Sequence, residues 1–322
     1  MLKQLVFFLL IGLLSADIAS AQIFYALIPE SPQPGDPITI GVNTSFTEAL
    51  LFADGTQVAR AGSFFVPPED EQPGFYAAII AVPTTVTASN VLIRLNNRGV
   101  TIREIPVKLT PKEFRSENLY LTPTMVSIVT DPNPQIQIER DRFWQIIMTT
   151  GNQVYHAGEF MIPVDSTRRT SIFGARRVNI YPEGWRSIEI HAGVDFGSPS
   201  AERSIHQMEV YACGRGLVVL ARMRILSGNS VIIEHAPGVY SVYYHLDSIS
   251  AQEGAIVEMG TVIGRVGSTG YSTGSHLHWE LRVGAENTDP DAFVSRPILD
   301  KELIISKIYN RNAKDLIPRL HK

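Results

Sequence analysis

Two histidines one residue apart, His276 and His278, follow a glycine-rich stretch that begins at Gly267. From His276 to Val283 polar and apolar residues alternate, the pattern of a half-buried strand. Side chains two apart on a strand share a face, so His276, His278 and Glu280 look one way while Leu277, Trp279 and Leu281 pack on the other. A second pair precedes them. His191 and Asp195 are four apart, and Gly193, Gly197 and Pro199 argue against a helix there. In extended chain that spacing again gives one face. Ser241, Tyr243 and His245 share a face of a further apolar run and offer a third histidine to the same cleft. Imidazole nitrogen and carboxylate oxygen suit zinc, and catalytic zinc takes three protein ligands and keeps a position for water. His191, Asp195 and one of His276 or His278 fill three places. The remaining strand histidine and His245 are then left to act on water or substrate.

Other chemistry-bearing residues read as support or as decoys. Glu280 shares the face of His278 and can hydrogen-bond it from behind or form a surface ion pair. Gly270-Tyr271-Ser272-Thr273-Gly274 matches the serine-hydrolase elbow, but that motif needs a helix after it and a strand follows here. Ser272 is therefore expected in a loop at the groove edge, and Tyr243 on the groove wall. No His-Glu-x-x-His sequence is present. His156, His235 and His321 lack partners at ligand spacing and read as structural or solvated. The single cysteine, Cys213, sits in an apolar run and reads as a buried inert thiol.

These residues need strands to hold them, and the chain supplies many. Short β-rich runs occur at Pro37 to Val42, Ala49 to Phe52, Phe75 to Ile80, Asn90 to Leu95 and Ile102 to Leu109, with a hairpin signal at Asp54-Gly55. They predict a small β-sandwich of immunoglobulin-like type over residues 22–109, either a binding module or a spacer. Residues 110–160 are broken by prolines and read as a linker with one short helix from Ile138 to Thr150, ended by Gly151. Phe143, Ile146, Ile147 and Thr150 fall on one helix face, so the linker either docks on the second domain or shields its groove. Residues 161–285 are again β-rich, with Asn229 to His235 and Val239 to Leu246 paired across Pro237-Gly238; residues 286–322 form a tail with a weak helical pattern from Lys301.

Composition narrows the partners. The 322 residues are 44% hydrophobic and 19% charged, enough for about two ordinary domains. A net charge of -4 without a basic stripe argues against nucleic acid. At the N-terminus Lys3, the apolar run Leu5 to Leu14 and Ala19-Ser20-Ala21 predict a cleaved secretory signal over residues 1–21. No later stretch is long and apolar enough to span a membrane, so the mature chain is expected in the periplasm or outside the cell.

Taken in order, His191-x-x-x-Asp195, Tyr243-x-His245-Leu246 and Gly274-x-His276-Leu277-His278 resemble the lysostaphin/LytM-type zinc metallopeptidases of family M23, the peptidoglycan endopeptidases. Ser171 to Arg176 and Gly228 to His235 resemble that family's opening motif and central hairpin, so the likeness covers about Ile162 to Val283. The resemblance implies a mainly antiparallel β peptidase domain with one zinc held by His191, Asp195 and His278, and with His245 and His276 assisting catalysis. It implies hydrolysis of peptide bonds in peptidoglycan. A different class is a non-hydrolytic LytM-like regulator or cell-wall binding protein that activates another hydrolase, with a cell-envelope partner on the N-terminal module. Ser200 to Met208 departs from the pattern as an insertion near the metal that could reshape or cover the groove; His206 within it reads as a solvated loop residue.

Overall fold

The computed structural model describes residues 22–309, so the expected signal sequence, His321 and the end of the tail lie outside the described residues. The chain is mainly β with antiparallel sheets. The N-terminal part holds β1 (Tyr25–Ile28), β2 (Pro37–Val42), β3 (Glu48–Ala53), β4 (Thr56–Gly62), β5 (Phe64–Val66), β6 (Phe75–Ala81), β7 (Asn90–Asn97) and β8 (Val100–Lys108). They form two four-stranded sheets, ordered β1-β2-β6-β5 and β4-β3-β7-β8. Between the sheets lie Ile38, Ile40, Leu51, Ile80, Ile93 and Leu95. The sequence Phe75-Tyr76-Ala77-Ala78-Ile79-Ile80-Ala81 is apolar throughout because β6 is covered on both faces. Ala78 and Ile80 face the sandwich interior, whereas Phe75, Ala77 and Ile79 join the core of the C-terminal half. The first eight strands are therefore continuous in packing with the C-terminal half.

The expected linker is more structured than proline content suggests. It contains β9 (Ser116–Tyr120), α1 (Pro123–Val129) and α2 (Pro134–Met148). Both helices begin with proline in the first turn behind a capping side chain, Thr122 for α1 and Asn133 for α2. The cap starts α2 a turn earlier than the predicted helix, and the helix ends two residues sooner. Phe143, Ile146 and Ile147 are buried as the helical period requires, against Leu220, Ile232 and Val242, while Thr150 falls past the helix end and is exposed.

Next come β10 (Arg169–Ser171), β11 (Arg176–Ile180), β12 (Arg186–Ile190), β13 (Val194–Phe196), β14 (Glu209–Tyr211), β15 (Gly216–Arg224), β16 (Gly228–Ala236), β17 (Val239–Ile249), β18 (Ile256–Val257), β19 (Val262–Val266), β20 (Leu277–Val283) and β21 (Glu286–Thr288). The main sheet runs β10-β13-β20-β17-β16-β15-β18. A small sheet of order β12-β11-β9 stands beside it, with β9 parallel to β11. Every residue of β20 is buried, so the expected half-buried strand is covered on both faces. Leu277, Trp279 and Leu281 enter the core, as the alternation required. His235 is fully buried there too, its Nδ1 donating to the Arg215 carbonyl (2.9 Å) and its Nε2 paired with Ser241 (2.7 Å). Cys213 lies in the same pocket, and burial pushes its thiol up to about 12, as an inert core residue demands.

The tail closes the molecule. After α3 (Asp291–Val294), α4 (Lys301–Tyr309) lays Ile304 on β2 at Gly41. A Cβ at Gly41 would stand 2.2 Å from Ile304 Cγ2, so only glycine lets the helix this close. Arg296 donates to the carbonyls of Ile28 and Pro37, and Thr39 to that of Ile298. Because Ile304 is 0% exposed at this junction, Ile304→Ala should destabilise the protein by about 3 kcal/mol in urea unfolding, whereas a loose tail would show no change.

Candidate metal centre and cleft

His191, Asp195 and His278 come together from three places. Asp195 lies on β13 opposite His278 on β20, and His191 follows the end of β12. His191 and Asp195 thus meet across a turn rather than along one extended strand. Gly193 lets this segment lie close against β20, since a Cβ there would stand 2.2 Å from the Trp279 carbonyl oxygen. One ligand atom from each of the three residues lies within 4.8 Å of the others. His191 Nε2 is 3.2 Å from Asp195 Oδ1 and 3.1 Å from His278 Nδ1, which is 2.8 Å from the same oxygen.

The outer hydrogen bonds select the tautomers. His191 Nδ1 donates to the Ile172 carbonyl (2.9 Å), which leaves the Nε2 lone pair facing the cluster. His278 Nε2 donates to Glu280 (3.0 Å), which leaves Nδ1 facing the cluster; Glu280 is itself held by Arg282 (2.8 Å). Arg177 binds the second oxygen of Asp195. Ser171 Oγ lies 3.0 Å from His191 Nδ1 and donates to Glu117 on β9 at 2.6 Å. Burial opposes the Asp195 charge, but the adjoining imidazoles of His191 and His278 outweigh it and hold the carboxyl well below its usual range. Burial likewise opposes charge on His278, yet Asp195 and Glu280 lift that imidazole to about 9. Two imidazoles and one carboxylate, oriented by second hydrogen bonds, fit a divalent metal of zinc type.

The other two histidines line the same cleft, a space of about 610 Å³. His245 does not reach it as strand alternation predicts. Between β16 and β17 the register moves from Val231↔Tyr243 to Asn229↔Leu246, so β17 carries one extra residue, accommodated as a bulge with His245 at φ 62°. The bulge separates His245 from the face of Ser241 and Tyr243. Tyr243 is consequently no groove residue: it is fully buried, with its hydroxyl on Ser241 and the Cys213 amide. Its neighbour Tyr244 lines the cleft instead, stacked on His278 with ring centres 5.6 Å apart. Alternation along an isolated strand gives no sign of that exchange.

His245 Nδ1 donates to the Thr269 carbonyl (2.8 Å) and His276 Nδ1 to that of Gly274 (2.8 Å), so each neutral ring keeps an unprotonated Nε2. Their ring centres are 4.8 Å apart. Burial first, and neighbouring imidazoles second, push His245 down to about 3. Burial also lowers His276, against the charge of Asp195. His276 Nε2 stands 3.8 Å from Asp195, outside the tight cluster. Ser272 lines the cleft and lies 3.4 Å from His276 Nδ1, with a strand rather than a helix after it.

Sequence reading allowed the linker to dock or to shield the groove but named none of its residues at the cleft. Leu119, Met125 and Val129 form one wall of the cleft, and Glu139 on α2 accepts from the amide of Ile225 beside it. The inserted loop sits at the rim, where His206 Nδ1 meets Ser275 Oγ at 3.2 Å.

Residues 189–290 match the pattern of peptidase family M23. DD-carboxypeptidase/endopeptidase Mpg of Neisseria meningitidis serogroup B is 38% identical over 141 residues, 44% of this chain and 30% of that protein. Peptidoglycan DD-endopeptidase ShyA of Vibrio cholerae is 39% identical over 122 residues, 38% of this chain and 26% of that protein. The aligned part thus spans less than a third of either relative. A crystal structure assigned to peptidase M23 from Pseudomonas aeruginosa shares the fold at a TM-score of 0.56 and 20% identity, over 82% of this chain and 94% of that one.

A metal bound at this cluster would compete with a proton for His278 Nδ1. Below about 9 that imidazole holds a proton which a metal must displace, so zinc affinity should rise with pH up to that point. Near neutral pH, zinc binding should release about one proton, read by calorimetry in buffers of different ionisation enthalpy. Binding without proton release would remove His278 from the ligand set.

Proposed function

We propose that this chain, whose residues 189–290 carry a peptidase family M23 domain, is a secreted zinc metalloendopeptidase that hydrolyses peptide bonds of peptidoglycan. One observation carries the reading: a cluster of His191, Asp195 and His278, whose outer hydrogen bonds aim one nitrogen of each imidazole inward, opens on a cleft that also presents two neutral imidazoles. A structural metal site would be closed by four protein ligands and would have no use for His245 and His276 beside it.

His191, Asp195 and His278 would hold the zinc. When bound, zinc activates water and polarises a carbonyl. The chain's own residues do the rest. Arg177 and Glu280 fix the carboxylate and the imidazole of the ligand set, so neither rotates away. His245 and His276, kept neutral by burial, each present Nε2 to take the proton lost from the attacking water. Once protonated, the same Nε2–H can donate to the developing oxyanion or to the leaving amine. Tyr244 braces His278 by stacking. The named relatives support peptidoglycan as substrate, and their DD designation favours bonds between D-residues.

The deciding experiment measures zinc content and release of soluble muropeptides from purified sacculi. Wild type should bind about one zinc and digest; His278→Ala should lose both. His245→Ala should keep the zinc and lose about 10²–10⁴-fold in rate. Zinc-loaded wild type that releases nothing from sacculi would overturn hydrolysis and favour a cell-wall binding or regulatory role.

A further inference from the structure

The cleft is lined by four side chains with fixed charge: Asp195, Arg177, Glu189 and Arg168. Asp195 and Arg177 neutralise each other. Arg168 is different. Around this end of the molecule Arg169 is paired with Asp291 (2.5 Å) and Arg203 with Asp165 (2.5 Å). Among the described residues Arg168 has no carboxylate within ion-pair distance; its Nη1 donates to the Ser198 carbonyl at 3.3 Å. That contact anchors the guanidinium of an exposed side chain that lines the cleft, and no other side-chain hydrogen bond engages it among the described residues.

The backbone under Arg168 is fixed. Its amide is 3.4 Å from Ser166 Oγ, and its carbonyl accepts from the Gly197 amide at 2.9 Å. Arg168 and Thr170, two residues apart, both reach over Gly197: a Cβ there would lie 3.3 Å from Arg168 Nη1 and 2.4 Å from Thr170 Cγ2. Ser171, at the other end of this short segment, lies opposite Asp195. With Nη1 over Gly197, two residues along the chain from Asp195, the guanidinium stands roughly 7 Å along from that residue, about two residues of an extended substrate away from the bond to be cut.

We propose that Arg168 binds a carboxylate of the substrate about two residues from the scissile bond, and so selects acidic peptides. This rests on the cleft being the hydrolytic site proposed above. A guanidinium with free, coplanar donors recognises a carboxylate by paired charge-assisted hydrogen bonds, which neither Thr170 nor Ser198 can offer. The carboxylate can be a free chain terminus or an acidic side chain; both present the same pair of oxygens.

Three acetylated D-peptides separate the sources: tri-D-alanine as the free acid, the same peptide as its amide, and the amide with D-glutamate at its third position. Affinities for the zinc-loaded protein are measured by calorimetry, for wild type, Arg168→Gln and Arg168→Lys. One or both acids should bind wild type about tenfold more tightly than the plain amide, and the preferred acid identifies the source. Arg168→Gln should erase the preference and leave amide binding unchanged; Arg168→Lys should restore part of it. Equal binding of all three peptides, a preference that survives Arg168→Gln, or no peptide binding at all would overturn the proposal. Sacculus digestion by wild type is scored in parallel. Its loss sinks the hydrolase reading, whereas digestion without an acid preference sinks only the role of Arg168.

Discussion

A buried carboxylate governs this architecture. Asp195 is 6% exposed, and an ionised group so far from water must be compensated on every side. One oxygen faces the imidazoles of His191 and His278; the other faces Arg177. Those partners stand after β12, on β20 and on β11, so satisfying a single anion brings together a central strand of the main sheet and two strands of the small one. The shell behind them extends the same logic. Glu280 is fixed by Arg282, and Ser171 by Glu117, so each group that touches a cluster residue has its own partner. Removing one partner would leave a buried charge unpaired, which is why the set is all-or-none.

What could be read from the sequence was local. The spacing His276-Leu277-His278-Trp279-Glu280 needs only the pleat of a strand to sort its faces, and Trp279 and His278 are sorted accordingly. His191 and Asp195 meet as expected, though by a turn at Gly193. The exchange of Tyr243 for Tyr244 was not legible. A bulge is a property of two strands in register, and the extra residue in β17 exists only relative to β16. The same limit applies to β9. Five residues with no apolar alternation, Ser116-Glu117-Asn118-Leu119-Tyr120, become a strand because β11, about sixty residues later, offers them an edge.

The N-terminal sheets illustrate a related point. A run such as Phe75 to Ala81 signals a strand buried on both faces, and two coverings are present: the second sandwich sheet and the C-terminal half with its returning helix α4. Runs of mixed apolar character are therefore evidence of a partner layer, even when the partner is far away in sequence. The positions at which α4 approaches β2 are set by the smallest residue available, Gly41, and no periodicity announces that.

The pairing of β9 with β11 gives the cleft wall an unusual ownership. Its outermost strand comes from the segment before the recognisable M23 stretch, so the unit defined by sequence similarity is smaller than the unit defined by backbone hydrogen bonds. A fragment cut at residue 161 would keep every residue of the metal cluster yet leave β11 as a bare edge, with its amides and carbonyls facing water. Bare edges recruit strands from elsewhere. Such a fragment would be prone to pair with copies of itself, and an extended peptide could enter beside β11 where the chain normally supplies its own.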